Sequence, residues 1–303
     1  MKKVLVIAGP TASGKTALSV RLAEKYGCEI ISGDSIQVYR GMDIGSGKVT
    51  EEEMRGIRHY LIDILSPLEE YSVRDFQTMA REIIDGSDGM KIICGGTGLY
   101  LKSCLYDYAF REEEGPSADP QLEKLSNEEL YAMLKESDPV QAEKIHVNNR
   151  RRLLRSLTIQ RRSGRPQSEI EEEQNHEMIY DAFIIGCTMP REVLYERISR
   201  RVDMMFEAGL EEEVRTLLQN GVTFAHQSMK GIGYREWQAY FEGPSDPEEV
   251  KEEIKKHSRQ FAKRQYTWFN HQMPVHWYDV TDPEEEKRIL AEVERWMKCS
   301  SHI

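Results

Sequence analysis

The sequence predicts an α/β fold, a doubly wound parallel sheet interrupted by a helical insertion. Short apolar runs alternate with stretches of helical periodicity, as the buried strands of a parallel sheet require. The first run, Val4-Leu5-Val6-Ile7-Ala8, leads directly into Gly9-Pro10-Thr11-Ala12-Ser13-Gly14-Lys15-Thr16, a complete G-x-x-x-x-G-K-[ST] phosphate loop in its strand-to-helix setting. Composition then shifts at Arg111-Glu112-Glu113-Glu114-Gly115-Pro116, after which no strand is expected until Phe183.

The expected strands are Val4 to Ala8, Ile30 to Ser32, Tyr60 to Ile64, Lys91 to Cys94, Phe183 to Cys187 and Val275 to Val280. Helices are expected over Thr16 to Tyr26 and over Val73 to Asp85, the second opened by a Ser72-to-Asp75 cap and carrying Val73, Phe76, Ala80, Ile83 and Ile84 on one face. A third runs from Arg191 to Ala208 and closes at Gly209. A fourth, Asp246 to Asn270, starts at Ser245-Asp246-Pro247-Glu248. The domain reading is a P-loop NTPase-like core of residues 1–110 and 180–303, with residues 111–179 as the helical insertion domain.

The 303 residues suffice for a large core. A formal net charge of −11 argues against nucleic acid as a partner on bulk charge, so local clusters must carry any such case. Five scattered cysteines without a C-x-x-C pair fit reduced thiols and offer no zinc site. The opening apolar run is too short for a signal-peptide core and no run reaches a membrane span, so a soluble cytoplasmic protein is expected.

In the phosphate loop, backbone amides turn inward, the helix N-terminus adds partial positive charge, Lys15 adds a full one and Thr16 is placed to ligate Mg²⁺. Pattern alone leaves open whether the phosphate is transferred, hydrolysed or expelled. Asp34, after the second strand, arrives at the same sheet edge, where it can bind metal, accept a proton or simply cap a turn. The fourth strand ends in Gly95-Gly96-Thr97-Gly98, where hydrolysing phosphate-loop enzymes usually place a metal-binding Asp; Thr97 is either a hydroxyl donor or part of a tight turn.

Seven arginines fall between Arg150 and Arg165, among them Arg151, Arg155, Arg161 and Arg162. A second basic run, Lys251 to Arg264, leads into Tyr266, Trp268 and Phe269 and reads as a stacking surface for unpaired nucleotides, with a competing reading that buries Phe261, Trp268 and Phe269. Arg197 and Arg201 share a helical face and can clamp a diphosphate or pair with Glu196 and Glu207. His59, at a strand start, reads as structural.

Together these segments resemble the tRNA dimethylallyltransferases, bacterial type. The resemblance is carried by GPTASGKTALS at 9–19, GDSIQVYRGMDIGSGK at 33–48, HYLID at 59–63, GGTGLYL at 95–101, RRLLRSL at 151–157, ERISRRVDMM at 196–205, GIGYRE at 231–236 and RQFAKRQYTWF at 259–269. Ser46-Gly47-Lys48-Val49 departs from the Thr-Ala-Lys-Pro more usual in the family, and Ser258 stands where Thr is usual. Nothing in the sequence resembles the zinc-finger extension of eukaryotic members, so a bacterial-type member is expected.

The resemblance implies transfer of a dimethylallyl group from dimethylallyl diphosphate to the N6 amine of the adenosine 3′ of the anticodon in tRNA, with Mg²⁺. It implies Asp34, Thr97 and Arg201 as catalytic residues, and Gly9, Pro10, Thr11, Ala12, Ser13, Gly14, Lys15 and Thr16 as the diphosphate or nucleotide loop, with Thr16 on the metal. The tRNA anticodon stem-loop would meet Asp34, Ser35, Ile36, Gln37, Thr97, Arg151, Arg155, Arg161, Arg162, Gly233, Tyr234 and Arg235. No membrane and no obligate protein partner are expected, and the chain is expected to be a monomer. The alternative is a P-loop small-molecule kinase, which predicts ATP turnover but leaves the insertion and RQFAKRQYTWF unexplained.

Overall fold

A computed structural model describes residues 1–108, 119–173 and 177–299. The composition change at 111–116 lies outside them. The chain forms two compact units, Met1–Tyr106 with Met178–Ile303, and Asp107–Glu177.

The first unit is built on β1 (Lys3–Ala8), β2 (Glu29–Ser32), β3 (His59–Tyr60), β4 (Lys91–Gly95), β5 (Asp181–Thr188) and β6 (His276–Asp279), all parallel in the order β3-β2-β4-β1-β5-β6. Central β1 is buried from Val4 to Ala8, which is why it reads as an unbroken apolar run. Its register against both neighbours, Ile7 opposite Cys94 and Ile185, brings the carboxyl ends of β1, β4 and β5 level. That edge is where an open α/β sheet binds ligands.

Helices α1 (Lys15–Tyr26), α2 (Glu51–Met54), α3 (Val73–Asp85) and α4 (Gly98–Leu105) fill the first crossovers. The expected α3 forms over the expected span: Ser72 and Asp75 make a full capping box and Phe76, Ala80 and Ile84 are buried. The second unit holds α5 (Asn127–Ser137), α6 (Pro139–Lys144), α7 (Arg150–Ser163) and α8 (Gln167–Glu172), around Leu122, Leu130, Leu134, Ile145, Leu153 and Leu157. Back in the first unit follow α9 (Arg191–Glu207), α10 (Leu210–Gln219), α11 (Gln238–Phe241), α12 (Pro247–Gln272) and α13 (Pro283–Lys298).

Two strand expectations need correction. Only His59 and Tyr60 pair in β3, because Leu61 and Asp63 take left-handed backbone angles of φ 62° and 55° and the chain turns away. Lys48 rewards that turn: its ammonium group binds Asp63, Asp43 and the Tyr39 carbonyl. At β6, Val275 and Val280 fall outside the strand.

Candidate active site

The phosphate loop keeps its positive end unspent. Helix α1 starts from a glycine N-cap that offers no side-chain cap, and its first turn carries no acidic residue. Its leading N–H groups and the helix dipole therefore remain available to an anion. Ala12 sits at φ 61°, a left-handed angle unusual for a residue with a Cβ, and belongs to the loop's inward turn. The Ser13 hydroxyl is buried without a partner among the described residues.

Three cations converge on this loop. Lys15 Nζ donates to the Pro10 carbonyl at 2.6 Å, and withdrawal from water pulls its pKa down. Arg201, on α9, points Nη1 at Thr11 Oγ1 at 3.5 Å and Nη2 at the carbonyls of Gly47 (3.1 Å) and Ser46 (3.4 Å). Arg197, one turn earlier, has Nη2 3.7 Å from where a Gly14 Cβ would lie. None of the three has a carboxylate ion-pair partner among the described residues, so the expected alternative of pairing with Glu196 or Glu207 is not what forms. Burial lowers the Arg201 pKa, and Asp34 is close enough to oppose that shift. A Cβ at Gly47, φ 57°, would collide with Arg201 Nη2, so the lack of a side chain there gives the guanidinium its room.

Asp34 follows β2 in a turn: Oδ1 accepts the N–H groups of Ile36 (2.8 Å) and Gln37 (3.3 Å). Oδ1 thus caps the turn, and Oδ2 has no hydrogen bond among the described residues. Ser35, Ile36 and Gln37 are half-buried. The Gln37 amide is engaged within the protein, donating to the Gly47 carbonyl at 3.2 Å. Thr97 occupies the N-cap of α4 at φ −86°, ψ 87°, yet its hydroxyl makes no cap bond and stays available.

Sequence reasoning missed Gln265. It is 6% exposed on α12; Oε1 accepts the Thr11 amide at 3.0 Å and Nε2 donates to the Gly96 carbonyl at 2.9 Å. One side chain thereby ties the phosphate loop to the turn that carries Thr97. The available signal was a polar amide on the apolar, aromatic face of α12 that also carries Ala262 and Phe269.

The family model described as IPP transferase matches residues 37–272. The chain belongs to the IPP transferase family. It is 48% identical over 99% of its length to a tRNA dimethylallyltransferase of Bacillus cytotoxicus, covering 98% of that protein, and 46% identical over its whole length to one of Anoxybacillus flavithermus, again covering 98%. A crystal structure of a tRNA isopentenylpyrophosphate transferase from Staphylococcus epidermidis matches with a TM-score of 0.72 at 42% identity, covering 97% of this chain and 99% of that one. A eukaryotic dimethylallyltransferase described as acting on tRNA matches with a TM-score of 0.85 at 29% identity, covering 98% and 80%.

For an IPP transferase with an RNA substrate, two expectations are corrected by the packing. Tyr234 is 0% exposed and Gly233 is buried, so neither offers surface to RNA. Tyr234 Oη instead holds the Ser46 amide and Glu213, and the Gly233 amide donates to Glu236. Only Arg235 of that trio is exposed, and its Nε binds Glu236. The α12 stacking surface is likewise reduced: Phe269 is 0% exposed, while half-buried Trp268 packs against the core beside Gly98 and half-buried Tyr266 bonds Thr188. The lysines before them are paired, Lys251 and Lys255 with Asp203 and Lys256 with Glu253.

Within the second unit the arginines divide. Arg150 holds the carbonyls of Glu123 and Leu125 and is structural, while Arg161 pairs with Asp119. Arg151, Arg152 and Arg155 are exposed and have no hydrogen bond or ion pair among the described residues. Arg162 is exposed as well. No described helix is long and apolar enough to cross a membrane.

Proposed function

We propose that this IPP transferase moves the dimethylallyl group of dimethylallyl diphosphate onto the N6 amine of the adenosine immediately 3′ of the anticodon in tRNA. The observation that carries the reading is the set of Lys15, Arg197 and Arg201 around a phosphate loop, without carboxylate ion pairs among the described residues, near Asp34, whose Oδ2 has no hydrogen bond among them. Cations without carboxylates are costly in a half-buried site unless an anion completes them. A diphosphate supplies that anion as ligand and as leaving group.

In the reaction the allylic C–O bond breaks, its electron pair leaves with the diphosphate, and the adenine nitrogen forms the new C–N bond. The amine proton passes to the free oxygen of Asp34. Lys15, Arg201 and the amides of Ala12 to Thr16 take up the charge that develops on the leaving group. Because an adenine amine is a weak nucleophile, positioning and leaving-group stabilisation carry most of the rate, and proton transfer adds about 10²- to 10⁴-fold. The Thr97 hydroxyl lies at the turn next to Asp34's strand and contacts the base.

The donor set at the loop fits Mg²⁺ carried on the diphosphate. Thr16 presents an exposed hydroxyl in the first turn of α1, and no group of three or more His, Cys, Asp or Glu among the described residues forms a metal cage of its own. Mg²⁺ supplies neutralisation of the leaving diphosphate. The target base must leave its stack to react, and the exposed Arg151, Arg155 and Arg162 hold the anticodon stem-loop by its phosphates.

The test is incubation with Mg²⁺, dimethylallyl diphosphate labelled in the allyl group, and unmodified tRNA, beside a labelled-ATP reaction. Label is expected in the tRNA and is expected to vanish when the target adenosine is replaced by guanosine. Phosphate transfer from ATP without allyl transfer would return the small-molecule kinase.

A further inference from the structure

Glu213 stands apart from its neighbours on α10. Glu211 and Glu212 pair with Arg215 along the helix, as exposed glutamates ordinarily do. Glu213 has no cationic partner among the described residues. Its Oε2 accepts the amides of Asp43 (2.9 Å) and Ile44 (2.7 Å), and its Oε1 accepts the Gly45 amide (3.0 Å) and the Tyr234 hydroxyl (2.7 Å). Tyr234 Oη in turn accepts the Ser46 amide at 3.1 Å. The amides of four consecutive residues are therefore gathered by one carboxylate and one phenol, a concave run of N–H groups filled by the protein's own anion.

The consequence appears one hydrogen bond further on. The carbonyls of Ile44 and Asp43, which share peptides with the Gly45 and Ile44 amides held by Glu213, accept the amides of Gly47 and Lys48 at 2.9 Å each, and the carbonyls of those two peptides, Ser46 and Gly47, meet Arg201 Nη2 at 3.4 and 3.1 Å. Tyr234 leaves the loop no slack: a Cβ at Gly45 would sit 2.6 Å from its ring. The guanidinium is thus oriented by neutral carbonyls rather than by a carboxylate, which keeps its full charge for an incoming anion. Negative charge on Glu213 reaches it only through polarised peptide groups.

We infer that Glu213 is a positioning residue of the diphosphate site, acting through Tyr234 and the 43–47 loop to aim Arg201. This rests on the reading of that site as a diphosphate site. A carboxylate that served only to hold the loop together would affect stability and tRNA binding without regard to Arg201. One that aims Arg201 matters only where the arginine is present to be aimed.

The experiment is a double-mutant cycle on the full chain with Glu213→Gln and Arg201→Lys. It reads inorganic diphosphate affinity in Mg²⁺ by calorimetry, dimethylallyl transfer to tRNA in single turnovers, tRNA affinity and melting temperature. Glu213→Gln is expected to weaken diphosphate binding about 10-fold with Arg201 present and less than about twofold in the Arg201→Lys background, with tRNA affinity unchanged. Equal losses in both backgrounds, or diphosphate and tRNA affinity falling together, overturn the inference. Should Glu213→Gln not fold, Tyr234→Phe takes its place in the same cycle and is judged by the same criterion. A wild type that binds no inorganic diphosphate would remove the site itself, whereas binding that depends on Arg201 but not on Glu213 removes only this inference.

Discussion

Gln265 accepts the amide of Thr11 at 3.0 Å, across a sequence separation of 254 residues, and so fastens α12 to the phosphate loop. Its other amide atom donates to the Gly96 carbonyl at 2.9 Å. Buried backbone groups without partners cost about 1–3 kcal/mol each. Gln265→Ala is therefore expected to destabilise the first unit by about 2–5 kcal/mol in denaturant unfolding. Gln265→Glu keeps the volume and the acceptor but loses the donor, and is expected to weaken diphosphate binding with a smaller stability loss. Wild-type stability in Gln265→Ala would mean the cross-link is idle.

Lys15 and Arg201 meet the loop at adjacent residues, Pro10 and Thr11, and neither has a carboxylate ion-pair partner among the described residues. Lys15→Met and Arg201→Gln are each expected to weaken inorganic diphosphate binding about 10- to 100-fold, the range for one charged hydrogen bond. Calorimetry with and without Mg²⁺ checks this. Since burial already disfavours the Lys15 charge, Lys15→Met is not expected to lower the melting temperature.

Arg151 and Arg155 lie one helical turn apart on α7, exposed and without ion pairs among the described residues. Reversing both charges is expected to lower the slope of log affinity for tRNA against log salt by about 2, because each phosphate contact contributes about 0.7–0.9. Arg150→Ala should act differently, reducing stability through the carbonyls of Glu123 and Leu125. A slope unchanged by the double reversal would place the RNA elsewhere.

In the second unit, Asp138 is 1% exposed and serves the N-termini of α6 and α8 together, accepting from Gln141 N, Ser168 N and Ser168 Oγ. Burial works to raise its pKa, but the Ser168 and Gln141 bonds outweigh it and the folded pKa is lowered. A lowered folded pKa gives stability that is present above the unfolded value and lost as pH falls through the folded one. Acid unfolding of the wild type below about pH 4 is expected to include this loss. Asp138→Asn is expected to be less stable at neutral pH and to lack that part of the acid dependence.

Central elements of the fold were legible because their determinants are local. β1 is apolar from Val4 to Ala8, α3 carries its cap and stripe, and the phosphate loop is contiguous. What was not legible depends on partners far along the chain. Tyr234 looked available for RNA because nothing near it in sequence reveals that Glu213 and Ser46 claim its hydroxyl. The α12 aromatics read as a stacking surface because a basic run leads into them, yet Lys251 and Lys255 of that run pair with Asp203 and Lys256 with Glu253, while Phe269 turns inward. β3 ended early for a similar reason: the turn at Asp63 is held by Lys48, fifteen residues back.

The division of labour between Asp34 and the cations is the core of the account, and Asp34→Asn tests it most directly. Asparagine retains the oxygen that accepts from Ile36 and Gln37, so the turn persists while the basic oxygen is lost. Single-turnover dimethylallyl transfer to tRNA should fall about 10²- to 10⁴-fold, with inorganic diphosphate affinity unchanged. Diphosphate affinity and transfer rate falling by equal factors would contradict the account and make Asp34 part of the diphosphate site rather than the proton acceptor.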